Sequence, residues 1–285
     1  MLACNHPNSF LDAVILATLF DNPVYSLARG DAFNKKWAAF LLKQFNILPV
    51  YRQREGAEHL HKNYETFDAC AEIFKQNGIV LIFSEALCEN EWHLRPLKKG
   101  TARLAAAAWQ QNIPLKILPV AVNYSSFKSF GKNIHLNFGK LIEKPAAASF
   151  NENGKLLGDI TNNVQLQLQQ LVYEIDKDNK IKSTEIFTLH ISPAKKILLF
   201  LPSVIAVLLH WPLYLPVMKL VSSKAFHSVH YDSIMVGMLF VLYPFYILLL
   251  SLLTYFIADG YWWIATLFAV PFCAWSYIQL KKQTN

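Results

Sequence analysis

Short apolar runs alternate with amphipathic stretches over the first half of the chain. The stretches 35–44 and 65–76 carry apolar residues at helical spacing. Six apolar runs are typical of buried strands: around Ala3, and at 24–28, 47–51, 79–83, 115–124 and 134–138. Strands that alternate with helices favour an α/β fold, a layered domain with a mostly parallel sheet. We therefore predict such a domain over residues 1–144.

A connecting region follows at 145–194. It begins with a polar, alanine-rich stretch at 145–157. Apolar residues then recur at the spacing of one amphipathic helix: Ile160, Val164, Leu168, Leu171 and Ile175. We interpret 176–183, which is rich in charge, as a linker.

The composition changes sharply after Lys195 and Lys196, and residues 195–285 are predicted to form a C-terminal α-helical membrane region. The stretches 233–257 and 261–280 carry no charged residue. About 20 apolar residues suffice to cross a bilayer, so both stretches are predicted to be transmembrane. Only three residues separate them, which favours a helical hairpin. A buried hairpin of a soluble protein is the alternative.

A third apolar stretch, 197–217, contains three prolines. Lysines lie on both sides of it and at the end of the chain, at positions 195, 196, 219, 224, 281 and 282. Positive residues favour the cytoplasmic side of a membrane. All these lysines stay on that side if 197–217 is re-entrant or interfacial, so we predict a broken segment that does not cross.

Composition and charge narrow the classes of partner that the protein is expected to bind. The chain has 285 residues, is 53% hydrophobic and carries a formal net charge of +7. A basic balance favours anionic partners such as a phospholipid bilayer or phosphorylated substrates. We exclude nucleic acid, because no recognised binding motif is present and only 16% of the residues are charged. The four cysteines and the histidines show neither a disulfide framework nor a metal-ligand spacing.

The candidate chemistry begins at residues 5–12, Asn-His-Pro-Asn-Ser-Phe-Leu-Asp. A neutral imidazole can remove a proton from an alcohol near pH 7, and a nearby carboxylate can hold it in the required tautomer. His6 is predicted to lie in a strand-to-helix turn, with Asp12 in the first turn of the helix.

Three further blocks follow in the chain. Residues 46–52 end in Arg52, whose guanidinium can grip phosphate with two hydrogen bonds. Residues 79–87 form a buried strand that ends in Ser84 and Glu85, followed by a basic stretch with Lys98 and Arg103. Residues 117–124 are an apolar strand with an internal proline, Pro119.

These four blocks, in this order, resemble the motifs of the glycerophospholipid acyltransferases, the family of glycerol-3-phosphate and lysophosphatidic acid acyltransferases. The first block resembles the family's His-x4-Asp box, with one residue more between His6 and Asp12. The third resembles its Phe-Pro-Glu-Gly motif, with Ser84 for proline and Ala86 for glycine. Family members generally carry residues before the first strand, so we expect the domain to start upstream of Met1.

The resemblance implies transfer of a fatty acyl chain from a thioester, acyl-CoA or acyl-carrier protein, to glycerol-3-phosphate or lysophosphatidic acid. His6 would be the general base and Asp12 would orient it. The predicted substrate-binding residues are Arg52, Ser84, Glu85, Lys98, Arg103 and Pro119. No metal or redox cofactor is implied, and the expected location is the cytoplasmic (inner) membrane, with the catalytic domain facing the cytoplasm. Another lipid acceptor, or a catalytically impaired lipid-binding membrane protein, are the alternatives.

Overall fold

The computed structural model describes residues 1–51, 62–145, 153–225 and 227–281. It divides into two compact units. The first comprises residues 1–123 and 135–174, and the second comprises residues 124–134 and 175–285. Arg52 and Lys282 lie outside the described residues.

A six-stranded sheet forms the centre of the first unit, as the sequence predicts. The strand order is β3-β2-β4-β1-β5-β6. The strands are β1 (Leu2–Cys4), β2 (Val24–Arg29), β3 (Ile47–Val50), β4 (Ile79–Phe83), β5 (Leu118–Tyr124) and β6 (Ile134–Phe138). β1 pairs in parallel with β4 and β5, and β2 pairs in parallel with β3 and β4. The carboxyl ends of β1 to β5 therefore share one edge of the sheet.

In its described part, this unit has five α-helices: α1 (Phe10–Ala17), α2 (Lys36–Gln44), α3 (Lys62–Lys75), α4 (Gly100–Gln110) and α5 (Asn153–Leu171). A short 3₁₀ helix, Gly30–Phe33, precedes α2. The connections from β1 to β2 and from β2 to β3 run toward one edge of the sheet, and the next two run toward the other. Because such crossovers are right-handed, α1 and α2 lie on one face of the sheet and α3 and α4 on the other.

The hydrophobic core lies mainly on the α3 and α4 side. Ala3 and Val80 in the sheet pack with Leu104 and Trp109 of α4, and all four are almost fully buried. The indole of Trp109 also donates to the Leu115 carbonyl at 2.8 Å. On the opposite face none of the residues of α2 is fully buried.

The described residues of the second unit form four helices: α6 (Lys180–Phe187), α7 (Pro193–Ala225), α8 (Tyr231–Ile257) and α9 (Trp262–Leu280). The interpretation of 176–183 as a linker is therefore wrong from residue 180 onward. The side chain of Asn179 caps α6 by accepting the backbone N–H of Lys182 at 3.0 Å, and this cap offsets the polar composition of the segment.

The expected break at 197–217 is not found, because α7 is helical through Pro202, Pro212 and Pro216, whereas the expectation that this segment does not cross a membrane stays a prediction. Proline removes one backbone hydrogen bond and does not by itself end a helix that neighbouring helices support. By length and composition α7, α8 and α9 are each able to cross a membrane.

The loop between β5 and β6, residues 124–134, belongs to the same unit as these helices. Lys132 forms an ion pair with Asp232 in the first turn of α8, and both side chains are nearly inaccessible, at 5% and 2% exposure. The ammonium of Lys281, after α9, donates to the Phe130 carbonyl at 2.7 Å. These two contacts join the loop to the beginning of α8 and the end of α9.

Candidate active site

His6 reaches the carboxyl edge of the sheet because β1 is a central strand that ends two residues earlier. The side chain of Asn5 continues the pairing with β5: its oxygen accepts the Val122 N–H at 2.8 Å and its amide donates to the Val122 carbonyl at 3.2 Å. Asn5 is buried. It holds the residue before His6 against the sheet, a role that the sequence analysis missed. An amide side chain directly after a buried strand is the sequence signal that could have indicated this role.

His6 and Asp12 are in contact, as their spacing predicts. Nδ1 of His6 lies 2.9 Å from Oδ2 of Asp12, and the carboxylate is fully buried. The same oxygen accepts the backbone N–H of Asn8 at 2.8 Å. Ser9, the N-cap of α1, lies between the two residues with a φ of 54°, in the left-handed region. Asp12 therefore holds one ring nitrogen and leaves Nε2 for a substrate.

The His6 ring is fixed on a second side by Phe83 at the end of β4. The two rings stack with centroids 3.8 Å apart and an interplanar angle of 14°. About a fifth of the His6 side chain remains exposed. An imidazole held by a buried carboxylate and an aromatic face is preorganised for proton transfer at its open edge.

Glu85 serves the geometry of the loops around His6. One carboxylate oxygen accepts the backbone N–H of His6 at 2.8 Å, and the other accepts that of Arg95 at 2.9 Å. The residue is buried, and burial raises its pKa above the usual value, against the lowering effect of these two hydrogen bonds. Both oxygens thus bind backbone amides of two separate loops.

More contacts join the His6 loop to the loop after β4. They are the Glu89 N–H to the His6 carbonyl at 3.3 Å, the Asn90 amide to the Pro7 carbonyl at 2.8 Å, and the Ser9 N–H to the Cys88 sulfur at 3.0 Å. Burial, with a smaller contribution from Asp12, raises the pKa of the Cys88 thiol to about 12. Cys88 is therefore a neutral thiol near pH 7 and serves as a hydrogen-bond acceptor.

Ser84 lies beneath the site. Its hydroxyl is 2.9 Å from that of Thr101, and the residue is almost fully buried. Its backbone carbonyl accepts the Lys98 N–H at 2.8 Å. These contacts give Ser84 a structural role, and its predicted contact with substrate stays a prediction.

Ala86 occupies the position where the resembled motif has glycine. Its φ is 55°, in the left-handed region that glycine adopts without strain, and the residue is exposed. Its N–H donates to the Phe83 carbonyl at 3.1 Å. The loop thus keeps the turn that a glycine would favour.

The remaining predicted residues are spread around this edge and beyond it. Lys98 and Arg103 are exposed just before and within the first turn of α4, which follows β4. Pro119 is buried in the first half of β5, in register with Ala3. It lies within the sheet and not beside His6. Among the residues that the structure describes, no group of His, Cys, Asp or Glu has the arrangement of a metal site.

Residues 1–123 match the model of a protein family described as Acyltransferase. The chain carries an acyltransferase domain. The match covers β1 to β5 and contains His6, Asp12, Glu85 and the loops that join them. No curated protein matches the chain. The acyltransferase domain is thus an enzyme domain, and its acceptor must be argued from chemistry.

Proposed function

We propose that this protein is a membrane-bound O-acyltransferase of phospholipid biosynthesis. It moves a fatty acyl chain from acyl-CoA or an acyl-carrier protein to glycerol-3-phosphate or lysophosphatidic acid. The observation that carries the proposal is the contact of His6 with the buried carboxylate of Asp12 at 2.9 Å, inside an acyltransferase domain.

The reaction needs one base and no covalent intermediate on the protein. Nε2 of His6 takes the proton of the acceptor hydroxyl while its oxygen attacks the thioester carbonyl carbon. When the tetrahedral intermediate collapses, the carbon–sulfur bond breaks and the imidazolium gives its proton to the sulfur. The products are an ester and a free thiol. Asp12 keeps the proton of neutral His6 on Nδ1 and stabilises the imidazolium.

A phosphorylated acceptor fits the charge at the carboxyl edge of the sheet. Lys98 and Arg103 are exposed around the start of α4, where the N-terminus of the helix adds its own positive potential. Arg52, outside the described residues, is proposed as a third cation for the phosphate. Glu85 acts on this acceptor indirectly, through the backbone of His6 and Arg95.

The proposed location is the cytoplasmic membrane, with α8 and α9 crossing it and α7 re-entrant. Three consecutive crossings would put the start of α7 and the end of α9 on opposite sides. The ammonium of Lys195, in the first turn of α7, donates instead to the Gln279 side chain at 2.6 Å, in the last turn of α9. Tyr214, later in α7, packs against Phe130, whose carbonyl accepts the Lys281 ammonium. These contacts support a helix that bends at its internal prolines and returns to one side of the membrane.

The test is thioester consumption by membranes that contain the wild-type chain or the His6→Ala variant. Each is offered glycerol-3-phosphate and, separately, lysophosphatidic acid. The matched control is His190→Ala, which changes an exposed histidine outside the family match. We expect wild type and His190→Ala to acylate one acceptor and His6→Ala to lose this activity.

Equal activity of His6→Ala and wild type would contradict the role of His6. If a folded wild-type chain acylates neither acceptor, the same membranes are offered lysophospholipids and amino-acid lipids. Activity there would replace the proposed acceptor. Inactivity with every acceptor would favour the alternative of an impaired lipid-binding protein.

A further inference from the structure

Helix α2 exposes an apolar face that none of the described residues of the first unit covers. Trp37, Phe40 and Phe45 are each more than 60% exposed, and Leu41 is 46% exposed. Their spacing places them along one side of the helix. The opposite side, with Ala38 and Leu42, is half-buried. The largest apolar side chains of α2 thus point away from the sheet, which reverses the usual arrangement of an amphipathic helix.

Lysines border this face. Lys35, Lys36 and Lys43 are all exposed. The chain contains no acidic residue between Asp31 and Glu55, and Asp31 itself forms an ion pair with Arg29. The α2 surface therefore combines exposed aromatic rings with an uncompensated positive charge.

Helix α1 and the turn after it expose further apolar side chains on the same face of the sheet. Phe10, Val14 and Leu19 are 46%, 38% and 45% exposed. Phe10 opens α1 and follows His6 by four residues. The apolar surface therefore begins beside the loop that carries the general base.

We propose that the surface formed by α1 and α2 docks on a bilayer that contains anionic phospholipid. Tryptophan and phenylalanine side chains bury in the headgroup boundary of a membrane, and neighbouring lysines are attracted to anionic headgroups. Large apolar side chains exposed together on one face of a domain mark an interaction site. The same chain carries helices that are able to cross a membrane, which favours a bilayer as the partner.

A second copy of the chain fits this surface less well. A two-fold interface would bring Lys36 and Lys43 of α2 close to the same lysines of the other copy. Anionic headgroups neutralise these charges, and the acyl region accepts the rings. Docking also brings the site next to the layer in which acyl chains reside, a consequence that rests on the proposed function.

The experiment measures the surroundings of α2 directly in the full chain reconstituted in vesicles of equal amounts of phosphatidylcholine and phosphatidylglycerol. An environment-sensitive fluorophore is attached to Phe40→Cys in a Cys88→Ser background, since the other three cysteines are buried. The matched control is Leu166→Cys on α5, which is equally exposed. Quenching is measured with doxyl-labelled lipid and with aqueous iodide.

We expect doxyl lipid to quench the label at position 40 several-fold more than the label at 166, and iodide to do the reverse. Equal iodide quenching at both positions would overturn the proposal. Protection of position 40 from both quenchers would also overturn it, because a second copy of the chain would then cover the surface.

A charge variant tests the choice of lipid. The double variant Lys36→Gln, Lys43→Gln should show less doxyl quenching at position 40. The labelled protein with both lysines intact should also show less quenching in vesicles of phosphatidylcholine alone. Unchanged quenching in both cases would contradict the anionic requirement. Because fluorescence and not turnover is measured, this result stands apart from the outcome of the acyl-transfer assay.

Discussion

The backbone N–H of His6 donates to the carboxylate of Glu85 at 2.8 Å across a separation of 79 positions in the chain. Glu85 binds Arg95 N–H with its other oxygen. The residue that resembles the family's third-motif glutamate thus holds the loop of the proposed general base. This relationship separates two roles for Glu85, positioning of His6 and direct contact with the acceptor.

Glu85→Gln should lower kcat on the order of 10²-fold, because glutamine offers one acceptor oxygen to two backbone amides and the His6 loop shifts. The KM for the acceptor should change little. Steady-state kinetics with varied acceptor checks this. A large rise in KM with kcat unchanged would instead show direct acceptor binding. The control is Glu72→Gln, which changes an exposed side chain of α3 and should behave as wild type.

The stability of the protein should also depend on pH through Glu85. Burial raises the pKa of this carboxyl above 4.5, so the folded protein keeps the proton to a higher pH than the unfolded chain. Its contribution to stability is therefore greatest below pH 4.5 and is lost as pH rises through the folded pKa. The Tm of wild type and of Glu85→Gln is measured in detergent from pH 4 to pH 7. As the pH rises, the Tm of wild type should fall relative to that of Glu85→Gln. A difference that does not change with pH would contradict this.

Asp12→Asn should lower kcat on the order of 10²- to 10⁴-fold while the fold persists. One oxygen of Asp12 faces Nδ1 of His6 and also accepts the Asn8 N–H, and the asparagine oxygen can take the same place. The neutral amide no longer stabilises the imidazolium that forms when His6 takes the substrate proton. Steady-state kinetics and Tm measurement check this, with Asp68→Asn on the surface of α3 as control. Activity near that of wild type would exclude a role for the negative charge of Asp12.

Ala86→Gly should stabilise the protein by about 1 kcal/mol, because glycine adopts the observed φ of 55° without strain. Ala86 is exposed, so the change leaves no cavity. A rise in the thermal unfolding temperature checks it. Ala38→Gly in α2, where the backbone is helical, should do the opposite. Equal shifts for both variants would refute the strained turn.

Lys132→Met should destabilise the protein by roughly 3–5 kcal/mol, because Asp232 would remain buried without its cation. The double variant with Asp232→Leu should recover most of this loss. Thermal unfolding in detergent measures both. Lys128→Met, an exposed lysine of the same loop, is the control. No recovery in the double variant would mean that the ion pair is not the source of the loss.

The local elements of the fold follow from the sequence. The six predicted strands and the helices at 35–44 and 65–76 agree with the structure to within a few residues, because apolar period and length select these elements. Two expectations failed. The polar composition of 176–183 hid the cap of Asn179 on α6, and three prolines did not break α7.

The contact of His6 with Asp12 was also within reach of the sequence, because the two lie in one turn and the helix after it. The partners of Glu85 and the pairing of Asn5 with Val122 were not. They join residues 79 and 117 positions apart, and such contacts depend on the order of strands in the sheet. Apolar period sets which segments are strands or helices. Only the tertiary structure decides which strand ends meet, because strand order follows from packing the whole core and leaves no mark in the local pattern.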